Sequence, residues 1–450
     1  MPHSILILSP DVITERMAGP AIRYWEFAKT LAPDHVVTLA APNAIPETLQ
    51  QTMPVSMVQH TPKNIAELVS CHDIILFQGY IFDYYPLLRQ SDKILVADLY
   101  DPIPLEGLEQ NKDQHPDKAS PIIADQVRMM TNQLTLADYF LCASPRQRDL
   151  WLGYLLALDR INPLTYNNIQ QRVMTVPFGF PDKIPQRTGA GFRKNEAEFV
   201  LLWGGGIWEW FDPLTLIRAI HRLLPRYPDL RLVFLGTQHP NPTIPTMPMQ
   251  HRAKALAREL GLYNTQVIFQ NGWVAYDSLH NYLLDANVGV SAHFETLETH
   301  FSFRTRILYY LWAGKPIITT KGDVLADEIA DNHAGIVVNS ADEDAWVEAI
   351  KKLHDPKEYA TYIEGVKKLA RQYRWSTVTQ PLLTLLSNAS LSPDMIIENS
   401  LRKSHLTQLV QDREHEYRIL KEQFEIMEHS NSWRLTAPLR NLRRWLTWWR

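Results

Sequence analysis

The sequence contains little cysteine and no long apolar run. Its two cysteines, Cys71 and Cys142, cannot form a disulfide framework, and no spacing around them matches a zinc site. No stretch reaches the roughly 18 apolar residues that cross a bilayer as a helix. The net charge of −4 gives no reason to expect a nucleic-acid partner. These absences argue against a disulfide scaffold, an integral membrane protein and a nucleic-acid-binding protein.

The first ten residues also lack the basic flank and the long apolar core of a signal peptide. This start and the scarcity of cysteine favour a reducing compartment, and we expect the chain in the cytoplasm. A hydrophobic content of 45% over 450 residues is enough for two domains with a core each.

Short apolar runs that are typical of buried strands alternate with segments of helical spacing. In the first half of the chain the runs cover 5–8, 35–40, 73–77, 93–97 and 138–142. The pattern pauses and then resumes with runs at 199–203, 230–235, 267–270, 288–291 and 316–319. This alternation predicts an α/β protein with two Rossmann-like, doubly wound parallel sheets and a boundary near residue 185.

The composition changes after the second α/β unit. Residues 387–400 are mostly small and polar, which predicts a linker, and 401–429 combine dense charge with apolar residues at helical spacing. The latter pattern predicts an amphipathic or coiled-coil helix that could mediate self-association. We therefore divide the chain into domains at 1–185 and 186–365, a crossover helix at 366–386 and an extension at 387–450.

The last twenty residues are basic, rich in tryptophan and free of acidic side chains. Tryptophan favours membrane interfaces, and each basic residue near an anionic surface contributes about 1 kcal/mol of attraction. The tail therefore predicts peripheral contact with an anionic membrane, at the inner face of the plasma membrane. Packing back on the protein as an ordinary helix is the alternative.

Ligands of doubly wound sheets bind at the carboxyl ends of the strands, so the residues that follow each strand are the candidates for a site. In the second unit these are glycines, aromatic residues and charged residues. The candidate positions are Gly204, Gly205, Gly206, Trp208, Trp273, Val274, His293, Glu295, Glu298, Arg304, Arg306 and Lys315. Each has a purely structural alternative, such as a tight turn for the glycines, a hinge cover for Trp208 or a core position for His293.

This ordered set, followed by the helix-turn-strand segment 311–320, resembles the donor lobe of retaining GT-B glycosyltransferases of family 4. The resemblance covers about residues 4–385 and implies two lobes that face a cleft. It also implies a nucleotide-diphosphate sugar as donor substrate, with no cofactor and no metal. Backbone N–H groups at glycine turns and helix N-termini suit the departing diphosphate, and arginine or lysine adds charge-assisted hydrogen bonds.

The sequence departs from the family pattern at two places. The turn after the first donor-lobe strand, 204–211, has no basic residue. Relatives also carry two glutamates eight positions apart, and here those two positions are occupied by Phe301 and Tyr309. We therefore expect Arg304, Arg306 and Lys315 to neutralise the diphosphate instead, and Glu298 to act as a catalytic residue that contacts donor hydroxyls.

The first lobe also matches the family at two segments. Gly19 lies in a small-residue loop that in relatives faces the donor phosphate, and 97–102 follows a strand that in relatives presents a polar side chain to the sugar. Asp98 or Asp101 is the candidate catalytic residue there, with helix capping or a turn as the alternative for both.

The resemblance implies a metal-independent, retaining hexosyltransferase that acts on a glycan or lipid-linked acceptor in bacterial cell-surface polysaccharide synthesis. Two other functions remain open from the sequence. One is a GT-B protein that binds a sugar or nucleotide without catalysis, which the missing basic residues and shifted glutamates would fit. The other is a GT-B nucleotide-sugar epimerase, which needs no acceptor.

Overall fold

The computed structural model describes residues 2–193, 195–396, 415, 417–423 and 427. Two open, fully parallel sheets organise residues 2–392, and helices cover both sheets. The strands of the first sheet lie between residues 4 and 175, and those of the second lie between 199 and 338. The predicted GT-B fold class is confirmed by this architecture.

The first sheet has seven strands in the order β3-β2-β1-β4-β5-β6-β7. They are β1 (Ser4–Leu8), β2 (Val36–Ala41), β3 (Ser56–Gln59), β4 (Ile74–Phe77), β5 (Ile94–Asp98), β6 (Tyr139–Cys142) and β7 (Val173–Thr175). The helices around it are α1 (Gly19–Leu31), α2 (Glu47–Gln50), α3 (Ile65–Ser70), α4 (Ile81–Tyr84), α5 (Ile103–Gln110), α6 (Pro116–Leu136), α7 (Pro145–Ala157) and α8 (Ile169–Arg172). A short 3₁₀ helix covers Pro86–Gln90.

The second sheet has six strands in the order β10-β9-β8-β11-β12-β13. They are β8 (Phe199–Gly204), β9 (Leu230–Leu235), β10 (Val267–Phe269), β11 (Val288–Ser291), β12 (Ile317–Thr320) and β13 (Gly335–Val338). The helices are α9 (Pro213–Leu223), α10 (Pro248–Glu259), α11 (Leu279–Asp285), α12 (Leu297–Phe301), α13 (Thr305–Trp312), α14 (Val324–Asp331), α15 (Glu343–His354), α16 (Pro356–Ala370), α17 (Trp375–Val378) and α18 (Gln380–Ser387). Two 3₁₀ helices cover Tyr276–Ser278 and Arg371–Tyr373.

The central strands are apolar on both faces, which explains why they form parallel sheets covered by helices. Ile5 pairs with Val37 on one side and Ile74 on the other, and all of β1 from Ile5 to Leu8 is buried. In each sheet the strand order reverses beside the first strand, β1 or β8. These reversal points are where open α/β sheets form their ligand crevice, and they determine where the cleft lies.

The chain returns to the first lobe after α16. Trp375 packs against Phe178 with ring centroids 4.9 Å apart and against Phe27 at 6.2 Å. Phe180 N donates to Tyr373 O, and Trp375 N donates to Phe180 O, each at 3.0 Å. The segment that follows the second sheet therefore ties the two lobes together.

A second compact unit covers Pro393–Arg450. Of its described residues, 393–396 and 417–423 are helical, and Tyr417 and Leu420 are exposed. Most of the predicted helix 401–429 and all of the basic tail 430–450 lie outside the described residues. No helix in the described part of the chain is long and apolar enough to cross a membrane.

Candidate active site

A cavity of about 640 Å³ lies between the two sheets, at the carboxyl ends of their central strands. The first lobe lines it with residues that follow β1, β4 and β5 and with the start of α1. The second lobe lines it with the turns after β8 and β9, the segment after β10 and the start of α13. Of the predicted site residues, the cavity lining brings together Gly19, Asp101, Gly204, Gly205, Gly206, Trp208, Trp273, Val274, Arg304 and Arg306.

The glycine turn after β8 brings backbone to the floor of the cavity. Gly204 N donates to the Tyr310 hydroxyl at 2.7 Å, which fixes the end of the strand. Gly205 has a φ of 122°, a conformation that favours glycine, and a Cβ built on it would lie 3.9 Å from Arg306 Nη2. The turn therefore lies directly beside Arg306, and both line the cavity.

Arg306 is a buried cation that has no carboxylate partner among the residues that the structure describes. Its guanidinium lies 4.0 Å from the centre of the Phe211 ring and 4.8 Å from that of Trp203. Nη2 donates to Gly206 O at 2.8 Å, whereas Nη1 is buried without a hydrogen-bond partner. Burial, with a smaller contribution from nearby Arg304, lowers the pKa of Arg306 to about 10. This side chain can donate to an anion in the cavity, and an anion there would offset its burial.

Arg304 differs from Arg306 because it is neutralised within the protein. Its Nη1 and Nη2 donate to the two carboxylate oxygens of Glu298 at 2.9 Å and 2.7 Å, a bidentate pair that is almost fully buried. Glu298 does not line the cavity but lies behind Arg304. The predicted catalytic Glu298 therefore orients the arginine in this structure.

His293 and Asp323 are buried beside this ion pair, with Asp323 Oδ2 4.0 Å from Arg304 Nε. His293 Nε2 lies 3.6 Å from Asp323 Oδ2, and both side chains have no exposed surface. Burial, with the nearby Arg304 charge, lowers the pKa of His293 well below its ordinary value. Burial also raises the pKa of Asp323 to about 6, even though Arg304 opposes this shift. His293 is therefore a neutral imidazole under the cavity floor rather than part of the lining.

Three further predicted residues lie away from the cavity lining. Asp98 is fully buried and accepts from Arg23 Nε at 2.6 Å and Nη2 at 3.0 Å. Glu295 is exposed and lies 3.5 Å from Lys321 Nζ. Lys315 Nζ donates to Leu284 O at 3.2 Å, and burial lowers its pKa to about 8. The structure does not bring these three side chains to the cavity.

Aromatic side chains form the wall of the second lobe. The Trp208 and Trp210 rings stack with centroids 5.6 Å apart and planes at 8°, and His239 lies 5.4 Å from Trp273. Trp273 Nε1 donates to Met17 O of the first lobe at 2.9 Å. The wall therefore offers flat apolar faces to a ligand and also joins the lobes across the cleft.

The sequence analysis missed several lining residues of the first lobe. Gln78 follows β4 directly, Glu106 lies on α5, and Tyr80 and Tyr84 belong to the segment after β4. Gln78 directly follows the predicted strand 73–77, and ligands of parallel sheets bind at the carboxyl ends of strands, so the sequence could have identified it. Glu106 lies within a helix, and no local pattern in the sequence marks it.

The comparisons with known proteins agree with this two-lobed geometry. The family model described as Glycosyl transferases group 1 matches residues 198–355. A curated D-inositol 3-phosphate glycosyltransferase from Stackebrandtia nassauensis is 27% identical over 213 residues, which are 46% of this chain and 45% of that protein. The match thus spans less than half of the relative's length.

Solved structures show the same fold over most of the chain. Sucrose-phosphate synthase from Thermosynechococcus elongatus superposes with a TM-score of 0.62 and 16% identity, over 86% of this chain and 98% of that chain. HepE from Anabaena, in complex with UDP-glucose, gives a TM-score of 0.61 and 14% identity, over 86% of this chain and 100% of that chain. The two sheets are arranged as in these structures, so this chain has the GT-B fold, and residues 198–355 of its second lobe match the family model described as Glycosyl transferases group 1.

Proposed function

We propose that this chain is a retaining glycosyltransferase that moves a hexosyl group from a nucleotide-diphosphate sugar to a hydroxyl of a glycan or lipid-linked acceptor. The observation that carries the proposal is Arg306, a buried cation without a carboxylate partner beside the glycine turn 204–206. Its free Nη1 and the backbone of the turn together suit a diphosphate. The glycosyltransferase named among the curated relatives and the UDP-glucose in HepE support the same donor class.

The chemistry needs positive charge at this place in the cleft. When the bond between the anomeric carbon and the diphosphate breaks, negative charge grows on the bridging oxygen. Arg306 and the N-terminus of α13 lie together in the lining and can stabilise that charge, whereas Arg304 is already neutralised by Glu298. Displacement of water from the cavity by the donor would strengthen each of these interactions, because it lowers the local dielectric.

Retention of configuration follows if the departing diphosphate accepts the acceptor's proton on the same face of the sugar. No dedicated protein base and no metal are then required. Asp101 lines the cavity from the opposite lobe and is placed to accept hydrogen bonds from sugar hydroxyls. We assign Glu298 the role of positioning Arg304, given their bidentate contact.

The test is release of nucleoside diphosphate from a panel of nucleotide sugars, with and without saccharide acceptors. Release that depends on an acceptor, with a product whose anomeric configuration by NMR matches the donor, supports the proposal. Release without acceptor together with an isomerised sugar would indicate an epimerase. No turnover of any donor, despite nucleotide binding, would favour a binding protein without catalysis.

We also propose that the basic tail 430–450 holds the enzyme at the inner face of a membrane, near a lipid-linked acceptor of cell-surface polysaccharide synthesis. The support is its composition of arginine and tryptophan without acid. Vesicles with anionic lipid should sediment the full chain, whereas a chain lacking 430–450 should stay in the supernatant. Equal sedimentation of both forms would remove this part of the proposal.

A further inference from the structure

The first lobe presents hydrogen-bond acceptors to the cavity that the reaction described above does not fully use. Gln78, Asp101 and Glu106 all line this side of the cleft. They come from different elements, since Gln78 follows β4, Asp101 follows β5 and Glu106 lies on α5. We call these three residues the acceptor wall.

Gln78 brings an amide oxygen without a described hydrogen-bond partner to the acceptor wall. The residue is 7% exposed, and its Nε2 donates to Asp101 Oδ2 at 3.1 Å. Its Oε1 is buried and has no hydrogen-bond partner. A buried amide oxygen without a donor costs free energy, so a group that donates from the cavity would satisfy it.

The two carboxyl groups of the wall lie in a setting that disfavours further negative charge. Burial raises the pKa of Asp101 to about 6, and nearby Asp98 adds to the shift. Burial and the neighbouring Asp101 raise the pKa of Glu106 well above its ordinary value. A second anion beside these groups would be repelled, whereas neutral hydroxyls can donate to them and accept from their protonated forms.

The positive charge of the cavity is confined to the other lobe. Arg304 and Arg306 belong to the second lobe, and within the described range 2–193 no lysine or arginine is among the lining residues. A phosphate or carboxylate seated on the first lobe would therefore find no cation of that lobe to pair with.

Aromatic rings border the acceptor wall. Tyr80 and Tyr84 line the cavity with ring centroids 6.5 Å apart, and Tyr84 is 69% exposed. Flat apolar rings beside a few convergent polar groups are typical of small-molecule sites, and the apolar face of a pyranose ring fits such a surface.

We propose that the acceptor wall binds a neutral glycosyl ring, so that the acceptor carries no phosphate or carboxylate beside the hydroxyl that reacts. Ring hydroxyls donate to Gln78 Oε1 and form hydrogen bonds with Asp101 and Glu106, while Tyr84 covers one face of the ring. The inference rests on the proposed glycosyltransferase function and adds the chemical class of its acceptor. A phosphorylated polyol or sugar is disfavoured there, because the wall offers two carboxyl groups and no cation of its own lobe.

The experiment measures binding by saturation-transfer NMR on the full chain, with and without UDP or GDP. The probes are methyl glucopyranosides and methyl mannopyranosides, each compared with glucose 6-phosphate and mannose 6-phosphate. We expect saturation transfer to at least one neutral glycoside and at least fivefold less to the phosphates. Gln78→Leu and Glu106→Leu should each weaken the glycoside signal at least fivefold, and Glu106→Lys should create a signal for a sugar phosphate.

Glu109→Gln is the matched control, because Glu109 lies on the same helix, outside the cavity lining, and pairs with Lys112. Its glycoside signal should equal that of the wild type, and each variant's melting temperature checks its folding. The inference is overturned if the phosphates bind as well as the glycosides, if no glycoside binds, or if folded Leu variants bind like the wild type. A glycoside signal without any melting-temperature shift from UDP or GDP would instead count against the proposed donor site, so the two failures are distinguishable.

Discussion

Arg304 and Arg306 lie two positions apart at the start of α13, yet within the described part of the chain only Arg304 has a carboxylate partner. Glu298 accepts from both terminal nitrogens of Arg304, whereas Arg306 contacts a backbone carbonyl and two aromatic rings. The charge of Arg304 is offset by a carboxylate and that of Arg306 is not. Removing each charge should therefore change the free energy of unfolding differently. This difference separates a structural arginine from one that is available to a ligand.

Arg304→Met should destabilise the protein strongly. The substitution keeps most of the side-chain volume but leaves Glu298 buried without its partner, which costs about 3–5 kcal/mol. Urea unfolding followed by circular dichroism measures the change. Arg304→Met combined with Glu298→Leu should recover much of the loss, and failure of the double variant to recover would show that the ion pair is not the cause.

Arg306→Met should leave the free energy of unfolding of the ligand-free protein within about 1 kcal/mol of the wild type, or raise it, because it removes a buried charge that no carboxylate offsets. The methionine can keep the contacts with Phe211 and Trp203. The same urea titration is the measurement. A loss comparable to that of Arg304→Met would mean that Arg306 has a structural role in the ligand-free protein.

Gly205→Ala should weaken nucleotide binding, and Gly261→Ala should not. Both glycines have positive φ, 122° and 69°, so alanine is strained at both positions, by about 1–2 kcal/mol at Gly261 and by more at Gly205. A Cβ at Gly205 would lie near Arg306, whereas one at Gly261 would meet no atom within 4 Å. Isothermal titration with UDP and GDP should therefore show at least tenfold weaker binding for Gly205→Ala alone. Equal affinity of the two variants would place the diphosphate elsewhere.

Asp323 should contribute a pH dependence to stability. Its folded pKa of about 6 lies above the ordinary value of 3.8, so the folded state holds this proton more tightly than the unfolded state. The resulting stabilisation is complete below about pH 4 and is lost as the pH rises through 6, with a size of about 3 kcal/mol.

Asp323→Asn should remove this pH-dependent contribution to the free energy of unfolding. It should keep the N-cap of α14, in which Ala326 N donates to Asp323 Oδ1 at 2.8 Å. Urea unfolding of both proteins at several values between pH 4 and pH 7 gives the difference in free energy. Its magnitude should change with pH over that range, and a constant difference would contradict the raised pKa.

The sequence predicted the central strands and missed strands at the edges of the sheets. The runs that became β1, β4, β8 and β11 are apolar on both faces, and such runs are recognisable without structural information. The missed strands are β3, β7 and β13, which lie at the edges of their sheets and are only partly buried. An edge strand needs fewer apolar residues, so its pattern is weaker.

The cavity lining includes the predicted glycine positions but only some of the predicted charged side chains. The glycine turn and the start of α13 lie at strand ends that the alternating pattern already located. Whether a carboxylate reaches the cavity or pairs internally depends on contacts that are distant in sequence, such as the one between Asp98 and Arg23. Spacing along the chain does not contain that information.

The most direct test of the account is a thermal-shift titration of wild-type and Arg306→Met proteins with UDP, GDP, ADP and dTDP at millimolar concentration. A ligand that binds the native state raises the melting temperature through RT ln(1 + [L]/Kd). We expect a clear shift from at least one nucleoside diphosphate in the wild type and its near-complete loss in Arg306→Met. No shift from any of them, or equal shifts in both proteins, would contradict the assignment of the cavity to a nucleotide-diphosphate donor.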